Sequence, residues 1–313
     1  MAKKQKRARL IYNPTSGQEI MKKNVAEVLD VLEGFGYETS AFQTTPEPNS
    51  ARDEAERAAR AGFDLVIAAG GDGTINEVVN GIAPLSNRPQ MAIIPTGTTN
   101  DFARALKIPR GNPVEAAKII GKNQIIQMDI GQAREDTYFI NIAAAGSFTE
   151  LTYSVPSQLK TMFGYLAYLA KGVELLPGIC TVPVRIKHEK GTFEGDVSMI
   201  FAAITNSVGG FEQIAPDAKL DDGKFTLILI KTANLIEILR LIRLVLDGGK
   251  HIGDKRIEYI KTDFLEIEPL SDKKMMINLD GEYGGDAPIK LRNLKNHITF
   301  FSNIEEISDD ALV

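Results

Sequence analysis

The chain has 313 residues, 43% of them hydrophobic and 25% charged, with a formal net charge of −5. At about 150 residues per domain, that length fits two domains with real cores, and the composition excludes a mainly disordered chain. The single cysteine, Cys180, excludes a disulfide scaffold and a thiolate metal cage and fits a reducing compartment.

Residues 8–12 predict a short buried strand, and Asn13-Pro14-Thr15-Ser16-Gly17 a turn. Met21, Val25, Val28, Leu29 and Leu32 then recur at helical spacing, and Gly34 and Gly36 end that helix. A second strand over 37–43 and a charged, alanine-rich helix over 50–61 follow. The third strand, 64–69, is an unbroken apolar run after Asp64, the pattern of a strand buried on both faces. Gly70–Thr74 reads as a loop, 75–82 as a helix, 91–94 as a fourth strand, 95–98 as a loop and 100–106 as a helix. Strand and helix thus alternate four times within about 110 residues, the rhythm of a parallel sheet covered by helices.

The pattern changes near Gln127-Met128-Asp129. Strands are expected over 136–144, 181–188, 193–204, 224–230, 263–268, 275–279 and 297–301, with helices over 157–174 and 234–246. The expectation is an α/β N-terminal domain with a mainly parallel sheet over 1–127, and a second, mainly antiparallel, β-rich and sandwich-like domain over 128–301. No Gly/Ser/Pro-rich linker separates them, so close coupling with the active site in the interdomain cleft is expected. The tail 302–313 either packs back on the first domain or leaves its acidic end free.

Ligands of parallel α/β sheets bind beyond the carboxyl ends of the strands. Three loops fall at that edge. Gly70-Gly71-Asp72-Gly73-Thr74 follows a buried strand and opens a helix, whose free N–H groups and positive dipole end suit phosphate. It is neither a Walker A loop nor a G-x-G-x-x-G fingerprint. Asp72 would be repelled by bare phosphate. It suits Mg²⁺ on a nucleotide, or a ribose or substrate hydroxyl; the structural alternative is a helix N-cap. Pro95-Thr96-Gly97-Thr98-Thr99-Asn100-Asp101 and Asn13–Gly17 have the same glycine and hydroxyl character.

These three motifs, in this order, resemble the catalytic domain of the diacylglycerol kinase superfamily, which includes sphingosine and ceramide kinases and, more distantly, NAD kinases. The resemblance extends through Ala215-Pro216-Asp217-Ala218-Lys219-Leu220-Asp221-Asp222-Gly223 and Leu279-Asp280-Gly281-Glu282, nearly the whole chain, and is strongest to the soluble Gram-positive-type bacterial members. It implies that Asn13, Pro14, Thr15, Ser16, Gly17, Thr44, Gly70, Gly71, Asp72, Gly73, Thr74 and Thr98 contact ATP. Glu77, one turn past Thr74, either buttresses that loop or is a solvated carboxylate.

The resemblance also implies that Glu282 is the general base, with Asp72 sharing catalytic duty. Phosphoryl transfer to a hydroxyl needs a carboxylate to orient the hydroxyl and take its proton. On its own, Asp280-Gly281 followed by Glu282 reads as a hairpin turn. The resemblance carries a structural Mg²⁺ to the Asp222 carboxylate with the carbonyls of Lys219 and Lys224, beside a second Mg²⁺ travelling with ATP. Mg²⁺ commonly takes one or two carboxylates and completes its octahedron with water; the plain alternative is an Asp-Asp-Gly turn. Asp101 and Asp129 join a supporting water network by the same resemblance; alone, they read as a helix N-terminal charge and a strand-end cap.

The implied reaction is ATP-dependent phosphorylation of diacylglycerol to phosphatidic acid. Alternatives are a related lipid kinase acting on phosphatidylglycerol or a sphingoid base, an NAD kinase, and a non-catalytic nucleotide-binding module. The histidines His188, His251 and His297 are scattered and read as structural or solvated. Residues 1–9 hold Lys3, Lys4, Lys6, Arg7 and Arg9 and no acid, so the body is acidic and nucleic acid is not expected as a partner. The basic start reads as a solubilising tail or a contact with anionic lipid. No apolar run reaches the roughly 18–20 residues of a membrane span. A cytoplasmic homodimer with transient contact at the inner membrane face is expected, with 159–173 or 235–246 as an interfacial helix or a packing face.

Overall fold

The structure, a computed structural model, describes residues 5–146, 181–207, 214–308 and 311–312. The expected helix 157–174 lies outside them. The chain divides into two compact units, Met1–Asp129 with Asn296–Asp309, and Ile130–Lys295 with Asp310–Val313.

The first unit runs β1 (Lys6–Tyr12), α1 (Ile20–Gly34), β2 (Tyr37–Gln43), α2 (Ser50–Arg60), β3 (Leu65–Gly70), α3 (Asp72–Ile82), β4 (Gln90–Pro95), α4 (Asp101–Ala105), α5 (Pro113–Gly121) and the start of β5 (Ile125–Arg134). Its parallel strands lie in the order β4-β3-β1-β2. The chain steps from β1 outward to β2, then returns past β1 to β3. With right-handed crossovers this places α1 on one face and α2 and α3 on the other. α1 packs with α5, and α2 with α3. The direction reverses between β1 and β3, the place where such sheets open a ligand crevice.

Every residue of β3 is buried, as its unbroken apolar run predicts. The alanine-rich helix α2 buries Ala51, Ala55, Ala58 and Ala59 and one carboxylate, Glu54. Burial pushes the Glu54 carboxyl upward, but hydrogen bonds from Arg57 and Arg9 outweigh it and hold the group below its ordinary value. Two features differ from the expected elements. α5 follows Asn112, whose side chain accepts from Val114 N and Glu115 N with Pro113 at the first turn, a capped start. α3 begins at Asp72 rather than 75, so most of the expected glycine loop is its N-terminal turn.

The second unit contains β6 (Thr137–Phe139), β7 (Ile142–Gly146), β8 (Val182–His188), β9 (Gly191–Ala203), β10 (Phe225–Lys231), α6 (Leu235–Leu246), β11 (Ile257–Thr262), β12 (Phe264–Pro269), β13 (Met276–Leu279), β14 (Glu282–Asp286) and most of β15 (Ile289–Phe301). The expected single strand 136–144 is two, β6 and β7, and β11 is additional. The strands pair antiparallel in the order β14-β13-β7-β9-β8-β12-β15, with β10 between β9 and β11. Alternate residues of β9 and β10 serve two cores. Val197, Ile200, Ala202, Phe225, Leu227 and Leu229 pack on one face, where Phe139 stacks on Phe225 at 5.7 Å. Met199, Phe201, Ala203, Ile228 and Ile230 pack on the other, which α6 covers with Ile238 and Leu241. Burial on both faces explains why these strands read as continuous apolar runs.

β15 pairs antiparallel with β12 inside the second unit, and its end pairs parallel with β4 inside the first, Phe300 opposite Met91. Phe300 meets Phe102 of α4 edge-on at 4.9 Å. The last residues divide: 302–308 stay with the first unit, while Leu220 N donates to Ala311 O and Lys219 Nζ to Leu312 O in the second. Among the described residues no helix is long and apolar enough to cross a membrane.

Candidate active site

The parallel strands of the first unit end at Tyr12, Gln43, Gly70 and Pro95, so the loops beginning at Asn13, Thr44, Gly71 and Thr96 emerge at one sheet edge. Backbone bonds fix them there: Asn13 N donates to Ala69 O, Thr44 N to Tyr12 O and Thr96 N to Gly70 O, each at 2.9 Å. The loops then lock together. Thr96 Oγ1 donates to Ser16 Oγ at 3.1 Å. Asn13 Oδ1 accepts from both Thr15 N and Thr15 Oγ1, which sets the first turn.

Glycine is required where these loops meet. Gly17 has φ +56°, and a Cβ there would lie 2.1 Å from Thr96 O. A Cβ on Gly97 would lie 2.6 Å from Gly71 Cα and 2.9 Å from Asn100 Oδ1. The N-cap of α3 is Gly71, in extended conformation, with no side-chain cap. Asp72 is therefore not the N-cap. It starts the helix, and its Oδ2 accepts from Asn100 N at 2.9 Å, tying the second loop to the third. Asn100 closes that third loop, accepting from Gly97 N and donating to Gly97 O. Gly73 and Thr98 are exposed at the edge, and Thr74 is buried. The result is a set of polar loops at the ends of β1, β3 and β4 that presents a helix N-terminus and close backbone, the arrangement that suits phosphate oxygens.

Glu77 does neither of the things expected of it. Its Oε2 accepts from Ala51 N at 2.9 Å, so it caps the start of α2. Asp101 occupies the first position of α4. Asp129 is fully buried within β5, not at a strand end, and its Oδ1 accepts from Asn296 N at 2.8 Å. The ring nitrogens of His251 and His297 bond the carbonyls of Ile214 and Ala83, and burial lowers the pKa of both and of His188.

In the second unit Glu282 opens β14 opposite Leu279 and is exposed. The two residues between them, Asp280 (φ 51°) and Gly281 (φ 98°), are both left-handed, the geometry of a two-residue hairpin for which Asp-Gly is well suited. Sequence reasoning missed what holds this tip. The Asp280 carboxylate accepts from Ile140 N at 2.7 Å, Asn141 N at 2.8 Å and Ile142 N at 2.9 Å. Asn278 Oδ1 accepts from Gly281 N. The three N–H groups lie at the turn between β6 and β7, so the tip of the hairpin is pinned to the turn that leads into β7, the strand β13 pairs with. Only the Asp before the Gly hinted at it.

The acidic loop forms a tight turn. Asp222 Oδ1 accepts from Lys224 N at 2.8 Å, and Gly223 has φ +81°. Lys224 Nζ donates to Glu189 at 2.6 Å, and this bond to the carboxylate raises the lysine's pKa. Tyr259 donates its hydroxyl proton to Asp217. Among the described residues no group of three or more His, Cys, Asp and Glu side chains could hold a metal. An ion in this loop would rest on the single Asp222 carboxylate and backbone carbonyls. Such hard oxygens fit Mg²⁺, which keeps most of its water.

A parallel sheet with phosphate-suited loops, followed by an antiparallel β sandwich with an acidic hairpin, defines a class of nucleotide-using kinases. Residues 7–133 match the diacylglycerol kinase catalytic domain, and residues 149–301 match the YegS C-terminal NAD kinase beta sandwich-like domain. A diacylglycerol kinase of Bacillus subtilis (strain 168) is 52% identical over 94% of this chain and 95% of that protein. One from Staphylococcus epidermidis (strain ATCC 12228 / FDA PCI 1200) is 45% identical over 98% and 95%. A crystal structure of a diacylglycerol kinase from Bacillus anthracis str. Sterne matches with TM-score 0.74 and 26% identity over 96% of this chain and 98% of that one. A second solved chain from that organism matches with TM-score 0.83 and 28% identity over 96% and 97%. The chain belongs to the diacylglycerol kinase family, of the soluble Gram-positive type.

Proposed function

We propose that this protein transfers the γ-phosphoryl group of ATP to the free hydroxyl of diacylglycerol, giving phosphatidic acid and ADP. The observation that carries the reading is the interlocked set of loops, in which Gly17 meets Thr96 O and Gly97 meets Gly71 Cα too closely for any side chain at Gly17 or Gly97. Its match to relatives named diacylglycerol kinase along almost their whole length supports the acceptor.

In this reading Asn13 to Gly17, Thr44, Gly70 to Thr74 and Thr98 hold the nucleotide. The N-terminal N–H groups of α3 orient the phosphates. Glu282 takes the proton of the lipid hydroxyl as its oxygen bonds to the γ-phosphorus and the bond to the β–γ bridging oxygen breaks. Asp280 acts one step behind it, as a positioning residue that fixes the hairpin. Asp72 fixes the third loop through Asn100 N while facing the nucleotide. Mg²⁺ bound with ATP would neutralise charge on the phosphates. A structural Mg²⁺ would sit at Asp222 with the carbonyls of Lys219 and Lys224. Asp101 and Asp129 support the water network. The protein works as a homodimer in transient contact with the inner membrane face.

The test is transfer of labelled γ-phosphate to a panel of diacylglycerol, phosphatidylglycerol, sphingosine, ceramide and NAD. The expected result is labelled phosphatidic acid alone, with Glu282→Ala reducing kcat by roughly 10²–10⁴-fold at unchanged ATP affinity. Label on another acceptor would keep the nucleotide site and reject the substrate. ATP binding with no labelled acceptor would reduce the protein to a nucleotide-binding module.

A further inference from the structure

Helix α6 reads LIEILRLIRLVL, with Glu237, Arg240 and Arg243 as its only charged residues. A helix apolar all round is ordinarily buried all round. One side of α6 meets that rule: Ile238 and Leu241 are buried, and Ile242, Leu244 and Val245 pack on the core of Phe201, Ile228 and Ile230. The other side does not. Ile236 is 78% exposed, Leu239 41% and Leu246 59%. Positions 236, 239, 240, 243 and 246 share one helical face, so the three apolar side chains are interleaved with Arg240 and Arg243, both exposed.

The nearby acids bond first to other partners, although Asp254 also faces Arg240 and Asp247 also faces Arg243. Glu237 bonds Arg256 and accepts from Asn234 N, closing a capping box. The Asp254 side chain is buried and pairs with Arg256 at 3.3 Å. Asp247 pairs with Lys250 at 2.8 Å. Arg240 lies 3.6 Å from Asp254 yet keeps 64% of its side chain exposed. The outward face is therefore apolar and cationic, on a chain whose net charge is −5.

We propose that this face of α6 docks reversibly on an anionic lipid surface, with Ile236, Leu239 and Leu246 entering the acyl boundary and Arg240 and Arg243 meeting headgroup phosphates. The inference names the docking element and rests on the lipid-kinase reading for its purpose. Charge complementarity selects lipid over a second copy of the chain. An isologous pairing would set the same patch against itself, and with it two arginines against two.

The test is cosedimentation of the full chain, without ATP, with phosphatidylcholine vesicles that contain or lack phosphatidylglycerol. Binding is expected only to the anionic vesicles. Ile236→Ser/Leu239→Ser/Leu246→Ser should weaken it roughly tenfold. Arg243→Glu should weaken it by a similar factor at low salt, a difference that closes at high salt. Unchanged thermal unfolding verifies both folds, and phosphorylation of a dispersed short-chain diacylglycerol should be unaffected. Undiminished vesicle binding by both variants overturns the proposal. So does a dimer that becomes a monomer in the triple variant while vesicle binding persists. Loss of vesicle binding in the variants of a protein that phosphorylates no lipid keeps the docking face and rejects the kinase reading.

Discussion

In the first unit three loops hold one another by backbone approaches that leave no space for a Cβ at Gly17 or Gly97, while in the second unit one carboxylate gathers three N–H groups at a hairpin tip. The loop cluster spreads its support over Gly17, Gly71 and Gly97 and over bonds from Thr96 to Ser16 and from Asn100 to Asp72. The hairpin draws three N–H donors onto Asp280. Support of the first kind resists the loss of any one polar group and fails when volume is added. Support of the second kind tolerates added volume at an open tip and fails when one side chain is removed. The distinction suits the proposed tasks: phosphate oxygens are met by many backbone donors, whereas a base is one group that must point one way.

The largest effect should therefore come from Asp280→Ala. It leaves three N–H groups without their acceptor, at Ile140, Asn141 and Ile142, all buried residues. It also places alanine at φ 51°, which costs more than aspartate there. Denaturant unfolding should show a loss of about 3 kcal/mol, with ATP affinity unchanged because the nucleotide loops lie in the other unit. Asp280→Asn keeps one acceptor oxygen and tolerance of positive φ, so it should lose clearly less. A drop in ATP affinity with Asp280→Ala would remove the separation between the two kinds of support.

Gly97→Ala probes the other side of the comparison. Its methyl would lie 2.6 Å from Gly71 Cα, and backbone must move to accept it. A stability loss of about 1–2 kcal/mol is expected, together with a larger proportional effect on nucleotide binding. Isothermal titration with ATP should show affinity lowered roughly tenfold or more. An alanine variant that binds ATP as well as the parent would show that the close approach of Gly71 and Gly97 is incidental.

Much of this was legible in the sequence. The β3 run from Leu65 to Ala69, the helical spacing of Met21 to Leu32, and three polar loops each placed after a strand together specified a parallel sheet and the edge at which to look. Asp280-Gly281 announced its turn because few residues accept two consecutive left-handed positions. What stayed hidden depends on contacts distant in sequence. Glu77 caps the first turn of α2 by accepting from Ala51 N, 26 residues earlier, and nothing around Glu77 signals that. Asp280 finds its donors about 140 residues away. β15 changes partner from β12 to β4 along its length, while its sequence pattern shows only alternation. α5 could have been found locally, since Asn112-Pro113 is a strong helix start.

Ser16→Ala offers the finest test of distributed support. It deletes one partly buried hydroxyl–hydroxyl bond, Thr96 Oγ1 to Ser16 Oγ at 3.1 Å. The backbone bond from Thr96 N to Gly70 O, the Asn100–Asp72 tie and the Gly17 contact do not depend on it. The unliganded protein should lose only about 0.5–1 kcal/mol, well below the loss at Asp280, as read by chemical denaturation. ATP should then separate two meanings of Ser16. If its hydroxyl serves only the neighbouring loop, the variant gains as much thermal stability from saturating ATP as the parent does. If it also meets a phosphate oxygen, the gain shrinks at a fixed ATP concentration, because stabilisation by a ligand follows the ratio of its concentration to Kd. A loss in the unliganded variant as large as that of Asp280→Ala would place the whole weight of the loop cluster on one hydroxyl, and the contrast between the two regions would not survive.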